Sequence, residues 1–81
     1  MPLNELAVPN RLTGERQVRR ALRAGRLVKL FIAEDADASV IRGLEEEALN
    51  ANIPVERVES MVMLGRACAI SRGASAAGIG S

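Results

Sequence analysis

The sequence predicts an α/β domain in which helices cover both faces of a small β-sheet. Helical and strand-like patterns alternate along the chain, in the order helix (15–24), strand (27–33), helix (38–51) and strand (53–58). This alternation is typical of α/β folds. The chain of 81 residues has room for one small hydrophobic core, so we expect residues 1–81 to form a single domain.

The first quarter of the chain predicts a short helix followed by a longer one. Residues 3–8 are expected to form the short helix, which Pro9 ends, and residues 10–13 are either a link or a first strand. Gly25 fits the C′ position that closes the longer helix. The apolar residues of that helix recur at the i, i+3 and i+4 spacing of a core-facing stripe: Val18, Ala21 and Leu22.

The middle of the chain predicts a buried strand and a second long helix. The strand LVKLFIA (27–33) is nearly continuous in apolar residues, which predicts burial on both faces, and only Lys29 interrupts it. Asp37 is the expected N-cap of the helix, and Glu45–Glu47 are expected to face water. The apolar stripe of this helix is Val40, Ile41, Leu44, Ala48 and Leu49.

The last third of the sequence predicts the strand at 53–58 and a third helix, but it does not decide the structure of the final residues. Ser60 is the expected N-cap of a helix that runs to about Ala69. Gly65 inside this helix costs about 1 kcal/mol relative to Ala, which indicates that another backbone or a ligand approaches there. Residues 73–81 (GASAAGIGS) are either a final strand of small residues or a frayed tail, and local sequence does not decide between them.

The composition excludes most classes of enzyme and metal site. The chain has no His and one Cys, so it lacks Ser–His and Cys–His pairs, His-ligated metals, disulfides and thiolate zinc cages. The Gly-rich dinucleotide motif and the phosphate-binding P-loop are both missing. We therefore expect no enzymatic activity, no metal and no cofactor. Phe31 is the one aromatic residue, which argues against a sequence-tolerant binder of single strands.

The hydropathy pattern gives an expectation for the cellular compartment of the protein. No stretch approaches the length of a membrane span, and the N-terminal segment lacks the basic and apolar regions of a secretory signal. Together with the lone Cys, these features predict a cytoplasmic protein without a membrane partner. A monomer is the default expectation for the oligomeric state.

The charges are segregated along the chain, although the net charge is only +1. Residues 11–29 carry six arginines and one lysine against Glu15 alone, whereas residues 34–59 carry eight acids against two arginines. Arginine is the better bidentate partner for phosphate and for guanine edges. The basic half therefore predicts either a nucleic-acid contact or a solvated helix face with no partner.

The start of the first long helix combines several groups that bind nucleic acid. Gly14 opens the helix, so the first-turn amides of residues 14–17 are expected to point outward with partial positive charge. Arg16, Gln17 and Arg20 add two guanidinium groups and a carboxamide to the same turn. This set can hold phosphate and read guanine and adenine edges. The alternative is a surface helix that simply begins at a glycine.

Three segments, in order, resemble one protein family. VESMVMLGRACAISRGASAA (58–77) resembles the signature of the L7Ae family of kink-turn-binding ribosomal proteins, with its leucine–glycine pair, small residues, short apolar loop and Ala-rich strand. LTGERQVRRALRAG (12–25) resembles that family's glycine-initiated RNA-binding helix, and VKLFIAEDADASV (28–40) resembles its central strand and following turn. The resemblance covers about residues 10–80 and is greatest for the short bacterial members associated with ribosomal genes.

The resemblance implies an α-β-α sandwich around a mixed four-stranded sheet, and binding to kink-turn RNA, a sharply bent duplex with tandem sheared G·A pairs. The family's helix motif carries Asn, Glu and Lys where this chain has Arg16, Gln17 and Arg20. The family's second contact is the loop after the third helix, where it usually has Gly in place of Ala69. The RNA-binding residues implied for this chain are Gly14, Glu15, Arg16, Gln17, Arg20, Ile70, Ser71 and Arg72.

Two functions remain open from the sequence. The first is a non-enzymatic kink-turn-binding protein that acts on ribosomal RNA or structured regulatory RNA. The second is a ribosome-assembly or protein-interaction factor that keeps the fold without kink-turn specificity. Two departures from the family motivate it: Arg16 replaces Asn, and Arg72 stands where an apolar residue is common. In the first case, neighbouring basic residues are expected to add salt-dependent phosphate contacts: Arg11, Arg19, Arg23 and Lys29.

Overall fold

A mixed four-stranded sheet separates two layers of helices in a computed structural model, which describes residues 5–81. The strands are β1 (Arg11–Thr13), β2 (Leu27–Ala33), β3 (Val55–Val58) and β4 (Ala76–Gly80). The helices are α1 (Glu15–Arg23), α2 (Ala38–Asn50) and α3 (Met61–Ala67). The strand order is β1-β4-β2-β3, with β2 and β3 parallel and β4 antiparallel to both of its neighbours. The α/β fold class and the α-β-α sandwich are thereby confirmed.

The sheet has a hydrophobic cluster on each face because successive residues of a strand point in opposite directions. In β2, Leu30 and Ile32 join the cluster under α1 and α2, whereas Phe31 and Ala33 join the cluster under α3. The strand is therefore buried on both faces, as its apolar run predicts. Val28, at a register shift between β2 and β4, is the exception and is 50% exposed.

The small residues near the C-terminus form β4, a central strand. Ala76 and Ala77 are fully buried, one under each helical layer. A β-carbon on Gly78 would lie 2.6 Å from Leu27 Cδ1 and 2.9 Å from the Lys29 carbonyl oxygen. Small side chains are therefore required where α1 and β2 press on β4, and the alternative of a frayed tail is wrong.

All three helices end in the same hydrogen-bonded turn, with a residue of positive φ at the C′ position. These residues are Gly25 (φ 70°), Asn52 (φ 58°) and Ala69 (φ 62°). The two backbone N–H groups at the turn after α3 donate to the carbonyls of Arg66 and Gly65, as in a Schellman motif. The predicted helix end at Gly25 is confirmed. The predicted extension of the third helix to Ala69 is wrong, because α3 ends at Ala67.

The structure corrects two further expectations. Only Glu5 and Leu6 of the predicted N-terminal helix adopt a 3₁₀ conformation; residues 7 and 8 are not helical, and residues 3 and 4 lie outside the described residues. Leu49 is 75% exposed rather than part of the core stripe of α2. The buried residues of α2 are Leu44 and Ala48, and Leu49 lies about 100° further around the helix.

Between residues 5 and 81, no helix has both the length and the apolar character needed to cross a membrane.

Candidate nucleic-acid interface

The start of α1 and the loop between α3 and β4 lie at the same end of the sheet. β4 runs antiparallel to β1, so the chain enters β4 beside the point where it leaves β1 for α1. The Gly14 N–H donates to the Ala76 carbonyl at 2.8 Å, and the Ala33 N–H donates to the Ser75 carbonyl at 3.0 Å. These bonds bring together the two segments that the sequence marks as RNA-binding, residues 14–20 and residues 70–72.

Gly14 begins α1 in a conformation that favours glycine, with φ 90° and ψ 159°. No side chain caps this helix. The first-turn N–H groups of Glu15, Arg16 and Gln17 have no acceptor within residues 5–81. The position where a Gly14 β-carbon would stand is open space. The α1 head, which we define as residues 14–20, therefore presents free backbone donors to an approaching ligand.

The other two helices that start at this end are capped. The Asp37 carboxylate accepts from the Ser39 N–H at 2.8 Å and from Ser39 Oγ at 2.6 Å, and these bonds hold the pKa of Asp37 below its ordinary value. At α3, Ser60 Oγ accepts from the Met63 N–H at 3.1 Å. The predicted N-caps are thus confirmed, and among the three helix starts α1 alone lacks a side-chain cap.

Asp35 caps a helix, as its sequence context suggests, but the helix is the distant α3 and not α2. Its carboxylate accepts from the Met61 N–H at 2.8 Å, so it also satisfies the first turn of α3. Glu34 and Glu59, both exposed, lie beside the same strand ends, where the Glu34 N–H donates to the Val58 carbonyl at 2.8 Å. The end of the sheet is therefore basic at α1 and acidic at the starts of α2 and α3.

Three side chains of the α1 head, those of Glu15, Gln17 and Arg19, are held by contacts within the protein. The Thr13 N–H donates to Gln17 Oε1 at 2.9 Å. Arg19 Nε donates to Glu15 Oε2 at 2.7 Å, and Arg19 Nη1 donates to Glu47 Oε2 at 2.5 Å. Glu47 therefore faces α1 rather than open water. The sequence signal for the first contact was present, because Gln17 is the third residue of α1, the position whose side chain in a capping box reaches back to the backbone.

The exposed arginines of α1 form its outward face. Arg16, Arg20 and Arg23 follow the i, i+4 and i+7 spacing and are all exposed. A shallow concavity is lined by Glu15, Arg16, Arg19, Arg20 and Arg23. A second hollow is lined by Leu12, Gln17, Arg20, Ala21, Ala24 and Arg26. Arg20 borders both of these hollows.

Lys29 is not placed to add a phosphate contact to this surface. Its Nζ donates to Glu5 at 2.6 Å and to Glu56 at 3.0 Å, and these hydrogen bonds raise its pKa above the ordinary value. The ammonium lies 5.0 Å from the ring centre of Phe31, which belongs to the cluster under α3. Lys29 is thus neutralised on the face of the sheet opposite α1. Arg19 is engaged in the same way, by two carboxylates.

The loop after α3 has a fixed backbone and exposed side chains. The Ile70 N–H donates to the Gly65 carbonyl at 3.0 Å, and the Ala74 N–H donates to the Met61 carbonyl at 3.0 Å. The Arg72 carbonyl lies against Gly65, so the prediction that another backbone approaches this glycine is confirmed. Ile70 packs partly on the cluster under α3, whereas Ser71 and Arg72 are exposed.

Comparison with known proteins gives the family. Residues 6–81 match the profile of the ribosomal protein L7Ae/L30e/S12e/Gadd45 family. The chain belongs to this family. The resemblance found in the sequence is thereby confirmed, and the family match spans the whole sheet and both helical layers.

Proteins of known sequence that resemble this chain include two from Geobacillus. An RNA-binding protein of Geobacillus sp. (strain WCH70) is 46% identical over 68 residues, which cover 84% of this chain and 83% of the relative. The RNA-binding protein YbxF of Geobacillus stearothermophilus is 44% identical over 66 residues, covering 82% of this chain and 80% of the relative.

Solved structures show the same fold. The Giardia lamblia 15.5kD RNA binding protein superimposes with a TM-score of 0.89 and 25% identity, covering 99% of this chain and 71% of the other. A protein of unknown function from Bacillus halodurans superimposes with a TM-score of 0.85 and 28% identity. The match covers 98% of this chain and 83% of the other.

Proposed function

We propose that the protein binds RNA and recognises kink-turn motifs through the α1 head and the α3–β4 loop. The observation that carries this proposal is the uncapped start of α1, which bears Arg16 and Arg20 and lies at the same end of the sheet as residues 70–72. Family membership supports it, and so do relatives that are named RNA-binding proteins.

The chemistry of the α1 head suits a bent duplex. Arginine donates two hydrogen bonds to guanine O6 and N7, and free backbone N–H groups at a helix start hold a phosphate. In regular A-form RNA the major groove is too deep and narrow for side chains to read. A kink exposes purine edges, so Arg16, Gln17 and Arg20 reach them without aromatic stacking.

The α3–β4 loop is the second contact in this proposal. Ile70 offers an apolar surface for an extruded nucleotide, and Arg72 offers a planar cation that stacks on a base or pairs with phosphate. Because the loop backbone is bound to α3, little entropy is lost when it meets RNA.

The acidic starts of α2 and α3 orient the RNA. Glu34 and Glu59 are exposed, and no ion pair engages them among the described residues. Phosphates are repelled from this side and attracted to the arginines of α1. The RNA backbone therefore follows α1 and the α3–β4 loop, and turns away from the starts of α2 and α3.

The protein acts without catalysis in this proposal, by selecting the bent conformer of ribosomal RNA or structured regulatory RNA. It shifts the equilibrium between extended and kinked RNA only by the difference in its affinity for the two. The expected product is a stable complex in which the RNA is not cleaved or modified.

A gel-shift titration at fixed salt tests the proposal with two RNAs. One RNA carries a kink-turn, and the other replaces its tandem G·A pairs with Watson–Crick pairs. We expect nanomolar to sub-micromolar binding to the first and much weaker binding to the second. Equal, salt-sensitive affinity for both would contradict the proposal, and would favour a ribosome-assembly or protein-interaction factor whose arginines make only non-specific contacts.

A further inference from the structure

Glu15 is an acid at a place where the proposed site needs hydrogen-bond donors. It is the first residue of α1, and it lines the same concavity as Arg16 and Arg20. A carboxylate in the first turn of a helix is attracted to the free N–H groups there and to the positive end of the helix dipole. If Glu15 turned to those groups, it would take the position of an RNA phosphate and repel other phosphates nearby.

Arg19 engages the Glu15 carboxylate one turn further along the helix. Arg19 Nε donates to Glu15 Oε2 at 2.7 Å, an i, i+4 ion pair. Within residues 5–81, none of the N–H groups of residues 15–17 donates to this carboxylate. The acid of the first turn is therefore paired with a cation instead of with the helix start, and the first-turn donors stay free for a ligand.

The Arg19 guanidinium is itself fixed between α1 and α2. Nη1 donates to Glu47 Oε2 at 2.5 Å, and Nη2 lies beside Gly43, where a β-carbon would stand 3.1 Å away. The Arg19 side chain is 24% exposed, against 71% for Arg23, the next basic residue on that side of α1. Each nitrogen of the guanidinium group thus has a neighbour within the protein, and little of the group remains for a phosphate.

We infer that Arg19 is a positioning residue of the RNA site, which keeps the Glu15 carboxylate off the free N–H groups of the α1 head and is anchored by Glu47. The inference rests on the proposed function. Glu15 then offers RNA its backbone N–H but not its carboxylate. The effect of Arg19 on binding is indirect, through the charge of Glu15, whereas Arg16 and Arg20 contact the RNA themselves.

A double-mutant cycle within the protein separates this role from a direct contact. The four proteins are the wild type, Arg19→Met, Glu15→Gln and the double variant, each titrated with one kink-turn RNA at fixed salt. The double variant has the same net charge as the wild type, since it loses one positive and one negative charge. Arg42→Met removes a positive charge from an exposed position on α2 and is the matched control for Arg19→Met. Protected β2 and β4 amides show that each variant is folded.

Arg19→Met is expected to weaken kink-turn binding about fivefold when Glu15 is present, the effect of one unit charge about 4 Å away in water. In the Glu15→Gln background, the same substitution is expected to cost no more than about twofold. Arg42→Met is expected to cost less than about twofold as well, because it leaves Glu15 paired. An equal loss in both backgrounds, no loss in either, or an equal loss for Arg42→Met would overturn the inference.

Amide hydrogen exchange in the free protein tests the position of the carboxylate independently of RNA. The amides of residues 15–17 are expected to exchange fast in the wild type and in the double variant, because they have no acceptor. In Arg19→Met, at least one of them is expected to exchange several-fold more slowly, because the released Glu15 carboxylate accepts from it. Equal rates in all three proteins would overturn the inference even if RNA binding follows the cycle. If these rates differ as expected but wild-type protein binds kinked and straight RNAs equally, the proposed function fails and only the positioning of Glu15 stands.

Discussion

The carbonyl oxygen of Arg72 occupies the space beside Gly65 in which any other residue would carry its β-carbon. The Gly73 Cα would lie 3.2 Å from that β-carbon, so α3 and the α3–β4 loop are in direct backbone contact. This contact fixes the segment that carries Ile70, Ser71 and Arg72. The leucine–glycine pair of the sequence signature therefore has a structural reason, since only glycine admits the loop.

Gly65→Ala is expected to lower the free energy of unfolding by about 1–3 kcal/mol or more, because the new methyl group meets the Arg72 backbone. Urea denaturation measures the loss. Gly43→Ala in α2 is the matched control: its β-carbon meets only the flexible tip of Arg19, at 3.1 Å. The control is expected to be unchanged or slightly more stable, by up to about 1 kcal/mol of helix propensity. Equal effects of the two substitutions would contradict the structural assignment.

Ala69→Gly is expected to raise the free energy of unfolding. Ala69 has φ 62°, a left-handed conformation that costs a non-glycine residue about 1–2 kcal/mol. The greater freedom of glycine in the unfolded chain offsets about 0.4–1 kcal/mol of that gain. Thermal or urea denaturation should therefore show a net stabilisation of roughly 0.5–1 kcal/mol. Ala24→Gly, at a helix end with φ −85°, is the control and should not stabilise.

Gly78→Ala is expected to destabilise the protein more than Gly80→Ala. A β-carbon at position 78 would press on Leu27 Cδ1 and on the Lys29 backbone, whereas at position 80 the nearest atom is at 3.5 Å, an ordinary contact. Overpacking of this kind costs about 1–3 kcal/mol. Urea unfolding of both variants checks the order. Similar midpoints would mean that β4 is not compressed between β2 and α1.

Arg20→Ala is expected to weaken kink-turn binding by roughly 1–3 kcal/mol, the range for a bidentate base contact. Arg42→Ala removes the same charge from an exposed position on α2 and is the control. Gel-shift or calorimetric titration at fixed salt compares the two variants. An affinity for Arg20→Ala that matches that of Arg42→Ala would remove Arg20 from the RNA site.

Protein stability is expected to fall at alkaline pH as Lys29 loses its proton. The ion pairs with Glu5 and Glu56 raise the pKa of Lys29 in the folded state above its ordinary value of 10.5. Their stabilisation is complete below that value and is lost as pH rises through the folded-state pKa. Urea unfolding of the wild type and of Lys29→Met across this range isolates the effect, since Lys29 is the only lysine. If the free energy of unfolding changes with pH in the same way in the wild type and in Lys29→Met, the expected role of Lys29 is contradicted.

Local patterns were sufficient for most of the helices and strands. Apolar runs, helix spacing and cap residues involve neighbours within a few positions, so β2, the Asp37 cap and the Ser60 cap were predicted correctly. The same patterns failed at Leu49 and at the end of α3. In both places the outcome depends on how the helix packs in the folded protein, which no local pattern records.

By itself, the sequence determined the order of the elements, the glycine at the start of α1 and the arginines that follow it, because these depend on local spacing. Only the tertiary structure decided that residues 76–80 form a central strand, that Arg19 and Lys29 are held in ion pairs, and that Gln17 Oε1 accepts from the Thr13 N–H. The first two depend on partners far away in the chain. The third depends on which N–H of β1 faces the free edge, and strand pairing sets that choice.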